Sequence, residues 1–196
     1  MPSSALLPEW RKSRADIVAI AGVIIAAALL GTVACKKSAG SDRSSLVASG
    51  RLAAGDGVVV ADFANLTGDS LLAARVTEVF RADLGQSPLV QVLTTGQVAS
   101  ALQRMGHAPD TALGAKLARE VATREGAKAI VAGTVAKFGV TYAISVRLLG
   151  AERGNALATY EETADDSSGL LNAVHRASKL LRNRIGESLG TPATMR

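Results

Sequence analysis

The chain has 196 residues, of which 48% are hydrophobic and only 3% aromatic, so a folded core must be built mainly from aliphatic side chains. Its formal net charge is +5, but the segment 55–190 carries fourteen Lys and Arg against fourteen Asp and Glu. The positive excess therefore lies in the first 54 residues and at Arg196. Because nucleic-acid-binding domains concentrate basic residues on the folded surface, this distribution argues against a nucleic-acid partner.

The first element along the chain is an uncharged stretch of nineteen residues, Ile17–Cys35. Its length is close to the ~20 residues with which a helix crosses a bilayer. Basic residues flank it on both sides, and Trp10 precedes it at the position of an interfacial anchor. We therefore predict a single-pass membrane anchor, with residues 1–16 as a short cytoplasmic arm and the globular domain outside the cytoplasm.

Cys35 is the only cysteine of the chain, which excludes an internal disulfide. Small residues, Gly31 to Ala34, run into it, as they do before the lipidated cysteine of a bacterial lipoprotein. Two features differ from such a signal, because Thr32 stands where Leu is expected and the apolar stretch exceeds the ~7–15 residues of a cleaved signal. An uncleaved anchor is the first interpretation and lipidation at Cys35 is the second, and both tie the domain to a membrane.

Residues 36–55 are rich in Ser, Gly and Ala. A segment of this composition buries too little apolar surface to order itself, so we predict a flexible linker. The folded domain is expected at 56–189, followed by a tail at 190–196.

The first predicted strand is the Val-rich apolar run Val58–Phe63, which suits a strand buried on both faces. Apolar residues at helical spacing follow over 70–85, and a second strand is predicted at 89–93. Thr94 with Gln97 three residues later is typical of a capping box, which predicts a second helix starting there.

After a break at 107–110, Asp110 or Thr111 is expected to cap a third helix that Gly126 closes. Two strands are predicted from here, at 127–136 and, with strict alternation of apolar and polar residues, at 140–148.

A last strand is predicted at 155–163, followed by a helix that Asp166 to Ser168 can cap. The resulting order βαβααβββα predicts an α/β (α+β) fold. Its mixed sheet ends in an antiparallel meander, with helices packed on the sheet.

Groups that could carry catalysis are sparse. His107 and His175 are far apart in the sequence and lack the spacing of a metal site. Four carboxylates cluster before the last helix: Glu161, Glu162, Asp165 and Asp166. The first interpretation is that they are surface and capping residues, which the helix dipole stabilises. The alternative is a weak divalent-cation site. Basic residues of that helix are expected to form a solvated face. The sequence therefore predicts no enzyme and no cofactor.

The polar turn 65–70 follows the first strand and contains the predicted contact residues Asn65, Thr67, Gly68 and Asp69. Asn and Thr favour turns, Gly68 permits a positive φ, and Asp69 or Ser70 suits a helix N-cap. Ligands of α/β sheets bind at the carboxyl ends of strands, which is where this turn lies. The first interpretation is a structural turn, and a ligand or partner contact is the second.

Three patches, 61–70, 89–102 and 128–157, resemble the TolB amino-terminal-like domain. The most characteristic positions are Phe63, Asn65, Gly68, Asp69, Gly133, Val135, Gly139, Tyr142, Arg147, Leu148 and Gly154. The resemblance implies the extracytoplasmic part of membrane-anchored bacterial serine/threonine kinases and tetratricopeptide-repeat proteins. Relatives with the same core include the curli secretion lipoprotein and the outer-membrane activators of peptidoglycan synthases. The family has no shared catalytic residue to carry over.

The chain departs from the kinase pattern, since only sixteen residues precede the apolar stretch and no repeats follow Leu189. The predicted function is a membrane-anchored, non-enzymatic binding or sensor domain whose partner is another envelope protein. The alternative is an outer-membrane lipoprotein, acylated at Cys35, that serves as cofactor of a secretion or cell-wall machine. The residues specify no small-molecule ligand.

Overall fold

A computed structural model describes residues 44–187. Six strands are present in this range, β1 (Asp56–Val60), β2 (Ala64–Leu66), β3 (Val90–Val92), β4 (Ala129–Phe138), β5 (Thr141–Gly150) and β6 (Ala156–Ala164). Four helices accompany them, α1 (Leu72–Gly85), α2 (Thr95–Arg104), α3 (Ala115–Arg124) and α4 (Leu170–Ile185). None of these four helices has the length and apolar character needed to cross a bilayer. The predicted anchor 17–35, with Cys35, lies outside the described residues.

All six strands form one sheet in the order β3-β1-β4-β5-β6, with β2 beside β4. β1 runs parallel to both β3 and β4, whereas β4, β5 and β6 pair antiparallel. The mixed sheet and its closing meander are therefore as the sequence predicts. The apolar periodicity was sufficient for β1, β4 and β5 because each of them buries at least one face.

The first predicted strand is interrupted. After Val60 the chain leaves the sheet, and it rejoins β4 only where Ala64 lies beside Thr134. Asp62 causes the break: its amide N–H donates to the Leu113 carbonyl at 2.9 Å, and its Oδ2 accepts the Leu113 N–H at 2.7 Å. The run 58–63 predicted as one strand therefore ends at residue 60, and β2 begins as a separate element.

Helices cover both faces of the sheet. α1 and α4 pack on one face, where residues such as Phe80, Leu84 and Leu181 are fully buried. α2 and α3 cover the β3-β1-β4 part of the other face and bury residues such as Leu102 and Val121. The spacing of these apolar residues gives each helix one buried side.

Strand β5 shows the predicted alternation. Tyr142, Ile144, Val146 and Leu148 are buried towards α1 and α4. The prediction is wrong at its first residue, because Val140 lies in the two-residue turn between β4 and β5 and is 74% exposed.

The helix caps follow the sequence in part. The Thr94–Gln97 capping box at the start of α2 is confirmed, and Gly126 follows α3 with φ +72°. The predicted caps of α3, Asp110 or Thr111, are wrong, because α3 begins only after Gly114. The bonds from Asp62 hold Leu113 beside the end of β1, which delays the start of the helix.

Residues 44–55 form a strap along the end of α4. Leu46 and Leu52 are buried in the core beside α1 and α4. The Leu46 N–H donates to the Arg184 carbonyl at 2.9 Å, and the Val47 N–H donates to the Ile185 carbonyl at 3.1 Å. The predicted flexible linker 36–55 is therefore folded over its described part, because two leucines in a polar context suffice to dock it.

Candidate functional site

The polar turn 65–70, whose first two residues belong to β2, is organised around the side chain of Asn65. Its Oδ1 accepts the Thr67 N–H at 3.1 Å and the Thr67 hydroxyl at 2.8 Å, while its Nδ2 donates to the Asp69 carbonyl at 2.7 Å. Gly68 occupies the left-handed region with φ +82°, which costs little for a residue without Cβ. These bonds tie the two ends of the turn together.

Asp69 links the turn to α1. Its Oδ1 accepts the Leu71 N–H at 3.0 Å and its carbonyl accepts the Leu72 N–H at 3.3 Å. The N-cap position is Leu71, which makes no side-chain cap, so the expectation of an N-cap at Asp69 or Ser70 differs from the structure by one or two residues. The carboxylate supports the helix start from just outside it.

Asn65, Thr67 and Asp69 thus have hydrogen-bond partners within the turn, and Gly68 supplies its positive φ. Asn65, Gly68 and Asp69 are exposed, and Thr67 is partly buried. A partner could reach the exposed atoms without unfolding the turn, so a contact role for these residues stays a prediction.

The base of the turn is rigid because Phe63 is wedged into the sheet. A Cβ placed on Gly133 would lie only 2.4–2.5 Å from the Phe63 ring. The Phe63 N–H donates to the Thr77 hydroxyl at 3.0 Å, and that hydroxyl donates to the Ala73 carbonyl at 2.8 Å. Phe63 therefore fixes the turn to both β4 and α1.

A crevice of about 170 Å³ opens where β1 and β3 end. β1 leads to α1 on one face and β3 leads to α2 on the other, so the crevice lies at a topological switch point, where ligands of α/β sheets bind. Arg81 lines it, forms an ion pair with Glu78 and donates from Nη2 to the Val60 carbonyl at 3.3 Å. The four predicted contact residues do not line this crevice.

The acidic cluster before α4 does not converge. Glu162 pairs with Arg176 at 2.7 Å, and Glu161 points to the opposite face of β6. Asp166 accepts from the Ser168 hydroxyl and from the Gly169 N–H, and these bonds hold its pKa below the ordinary value. No group of three or more His, Cys, Asp or Glu that could hold a metal ion occurs within residues 44–187.

The basic residues of α4 do not form one solvated stripe. Arg182 donates from Nε to Glu187 Oε2 at 2.7 Å, and Arg184 donates to the Ser44 carbonyl at 2.8 Å. The hydrogen bonds with Arg182 hold the pKa of Glu187 below its ordinary value. These arginines join the end of α4 to the strap and to the residues that follow.

A further polar cluster, which was not predicted from the sequence, lies between α1 and α4. His175 Nδ1 is 2.5 Å from Asp83 Oδ2, and the Ser178 hydroxyl donates to the same oxygen at 2.9 Å. In a nucleophilic site the serine must bond the histidine, whereas here it bonds the carboxylate and is 2% exposed. The cluster joins two helices. Its one sequence signal is the polar Asp83 beside the buried Leu84.

Solved structures with a similar fold are known. The LpoB C-terminal domain from Salmonella enterica matches with a TM-score of 0.53 and 22% identity, over 59% of this chain and 86% of that one. The LpoB C-terminal domain from Escherichia coli matches with a TM-score of 0.52 and 23% identity, over 58% and 84%. TolB from Acinetobacter baumannii matches with a TM-score of 0.42 and 12% identity, over 68% and 28%.

No protein-family model and no curated protein matches the sequence. The domain has the α/β fold of the two LpoB domains, a coarser result than the expected TolB-like family. The kinase and repeat-protein context of that expectation finds no support in these comparisons.

Proposed function

We propose that the chain is a membrane-tethered, non-enzymatic binding protein of a bacterial envelope, anchored by a lipid on Cys35. The observation that carries the proposal is the likeness of 58–59% of this chain to most of each LpoB domain. A fold does not by itself specify a function, so the anchor and the chemistry of the surface must agree with it.

Few residues separate Cys35 from the described fold, so a lipid on Cys35 would tether the domain directly. The strap begins at Ser44, so eight residues separate the cysteine from the described domain. Fully extended, they span at most ~29 Å, which would keep the domain close to the membrane that holds Cys35. We prefer lipidation at Cys35 to a membrane span at 17–35 because the relatives that share the sequence resemblance include lipoproteins.

The surface chemistry supports binding rather than catalysis. Asp83, Glu162 and Glu187 each have a hydrogen-bonded cationic or hydroxyl partner, so they hold elements together. Paired carboxylates of an acid–base enzyme need environments that separate their pKa values within one cavity. An envelope protein is therefore the partner that we propose, in the role of cofactor to a secretion or cell-wall machine.

Intact-mass spectrometry of the full chain, purified from bacterial membranes, tests the anchor. We expect a mature protein that begins at a diacylated Cys35, and we expect the matched variant Cys35→Ser to keep residues 1–34. A wild-type chain that retains Met1 and carries no lipid would contradict the proposal and favour the membrane span.

A further inference from the structure

Large apolar side chains are exposed mainly at one end of the domain. Six such residues are exposed within 44–187, and only Leu180 lies elsewhere. The other five, between 52% and 74% exposed, form what we call the apolar tip: Leu66, Leu71, Phe138, Val140 and Leu171.

Strand register places the first members of the tip together. Leu66 lies beside Ala136, and Phe138 is two residues further along the same strand. Phe138 pairs with Thr141 across the turn that contains Val140. These three side chains therefore project from adjacent strand ends.

The remaining two members stand at the starts of helices on the same end. Leu71 directly precedes α1 and follows the polar turn. Leu171 is in the first turn of α4 and, with Ala74 and Val79 of α1, lines a hollow of about 550 Å³. Protruding leucines beside a hollow offer both contact area and a recess.

The described chain begins at the other end of the sheet. Ser44 lies beside Arg184, and the strap leads to the start of β1, whereas the tip lies beyond the end of β4. The tip and the first described residue therefore lie at opposite ends of the ten-residue strand β4, which is ~33 Å long.

The charges at the tip favour one kind of binding partner over the others. Asp69, Asp165 and Asp166 are exposed at this end, against the cations Arg75 and Lys137. An anionic lipid surface attracts Lys and Arg rather than carboxylates. A symmetric contact with a second copy would bring the acidic rims of both copies together. A protein with an apolar pocket and a basic rim complements the tip.

We propose that the apolar tip is the surface that binds the envelope partner, and that this partner presents an apolar pocket with Lys or Arg at its rim. The inference rests on the proposed function and adds the contact surface and its chemistry.

The test uses the full chain in bacterial cells with a photo-crosslinking residue at position 140, and a matched probe at position 180. We expect the Val140 probe to give an adduct with one protein, identified by mass spectrometry, that the Leu180 probe does not give. An adduct with a second copy, an adduct with lipid, or equal yields from both positions would overturn the inference.

The identified protein is then purified and its affinity for the full chain is measured. Leu66→Ser with Phe138→Ser should weaken binding by about tenfold or more, rising salt should also weaken it, and Leu180→Ser should leave it unchanged. Each variant is checked by thermal melting. Binding that is insensitive to the tip variants would overturn the inference.

Failure here is distinguishable from failure of the proposed function. A protein captured only by the Leu180 probe would show that the apolar tip is not the contact surface. The proposed function as a membrane-tethered binding protein would still stand. Lipid processing at Cys35 is scored separately from either adduct.

Discussion

Asn65 is the side chain on which the polar turn depends. It accepts two hydrogen bonds from Thr67 and donates one to Asp69. We expect Asn65→Ala to destabilise the domain by about 1–2 kcal/mol, because the lost bonds leave the turn without its cross-link. Thermal or urea unfolding of residues 44–187 within the full chain measures this.

Asn65→Asp is the matched control. It keeps both acceptor bonds but replaces the donor with an oxygen that faces the Asp69 carbonyl, so it should fall between wild type and Ala. Equal stabilities of all three proteins would mean that the turn forms without this side chain.

Asp69 separates the structural role of the turn from a contact role. Asp69→Ala removes the acceptor for the Leu71 N–H and should cost ~0.5–2 kcal/mol, whereas Asp69→Asn keeps an acceptor and should be tolerated. A melting temperature unchanged by Asp69→Ala would argue against the structural role. Loss of partner binding in Asp69→Asn without loss of stability would assign the carboxylate to the contact.

Gly133 is the residue whose size matters most. Its absent side chain makes room for Phe63, so Gly133→Ala should destabilise the domain by about 1–3 kcal/mol or more through overpacking. Gly85→Ala, at the open end of α1, should be neutral or stabilising because nothing lies within 4 Å of its Cβ. Denaturant midpoints of the two variants provide the comparison.

Among the elements, the end of α4 depends on pH through Glu187. Hydrogen bonds from Arg182 lower the folded-state pKa of Glu187, so the stabilisation is present above the unfolded-state pKa, ~4.3, and is lost as the pH falls through the folded value. Glu187→Gln should therefore lower the melting temperature at neutral pH, and the difference from wild type should close in acid.

Glu161→Gln is the control for that experiment, because Glu161 is exposed on β6. At neutral pH its melting temperature should match that of wild type. A Glu187→Gln deficit that persists below the folded-state pKa would show that the ion pair is not its source.

Local sequence patterns were enough to predict most helices and strands. They failed where contacts between distant residues determine the structure. The alternation in β5 and the Thr94–Gln97 box are encoded within a few residues, so they could be predicted. The break after β1 depends on Asp62 bonding Leu113, 51 positions away. The strap depends on Leu46 meeting α4, a contact that composition cannot reveal.

The candidate site also has one part that local sequence predicts and another that depends on distant residues. Residue types of the polar turn predicted its hydrogen-bonded form, whereas the cluster of Asp83, His175 and Ser178 joins residues that are 92 and 95 positions apart. The apolar tip collects side chains that look like isolated surface residues in the sequence. The strand register and the starts of α1 and α4 bring them to one end.

At the scale of the whole domain, the strap should contribute measurably to stability. Leu46 is fully buried, and Leu46→Ala should cost about 2–5 kcal/mol through lost packing and a cavity. Val47→Ala, a partly buried neighbour, should cost clearly less. Equal effects of the two variants in calorimetric melting would return residues 44–55 to the status of a linker.

We expect the strap to open first when the domain is pulled from its amino-terminal end. A pull between the proposed anchor and a partner at the proposed contact surface would first separate residues 44–55 from the end of α4, opening bonds such as Leu46 N–H to the Arg184 carbonyl one at a time. These twelve residues could release up to ~40 Å of length. Only then would the load reach β1, which lies between β3 and β4 and would be pulled in shear. Unfolding of the strap would thus lengthen the connection to the membrane before the sheet is loaded.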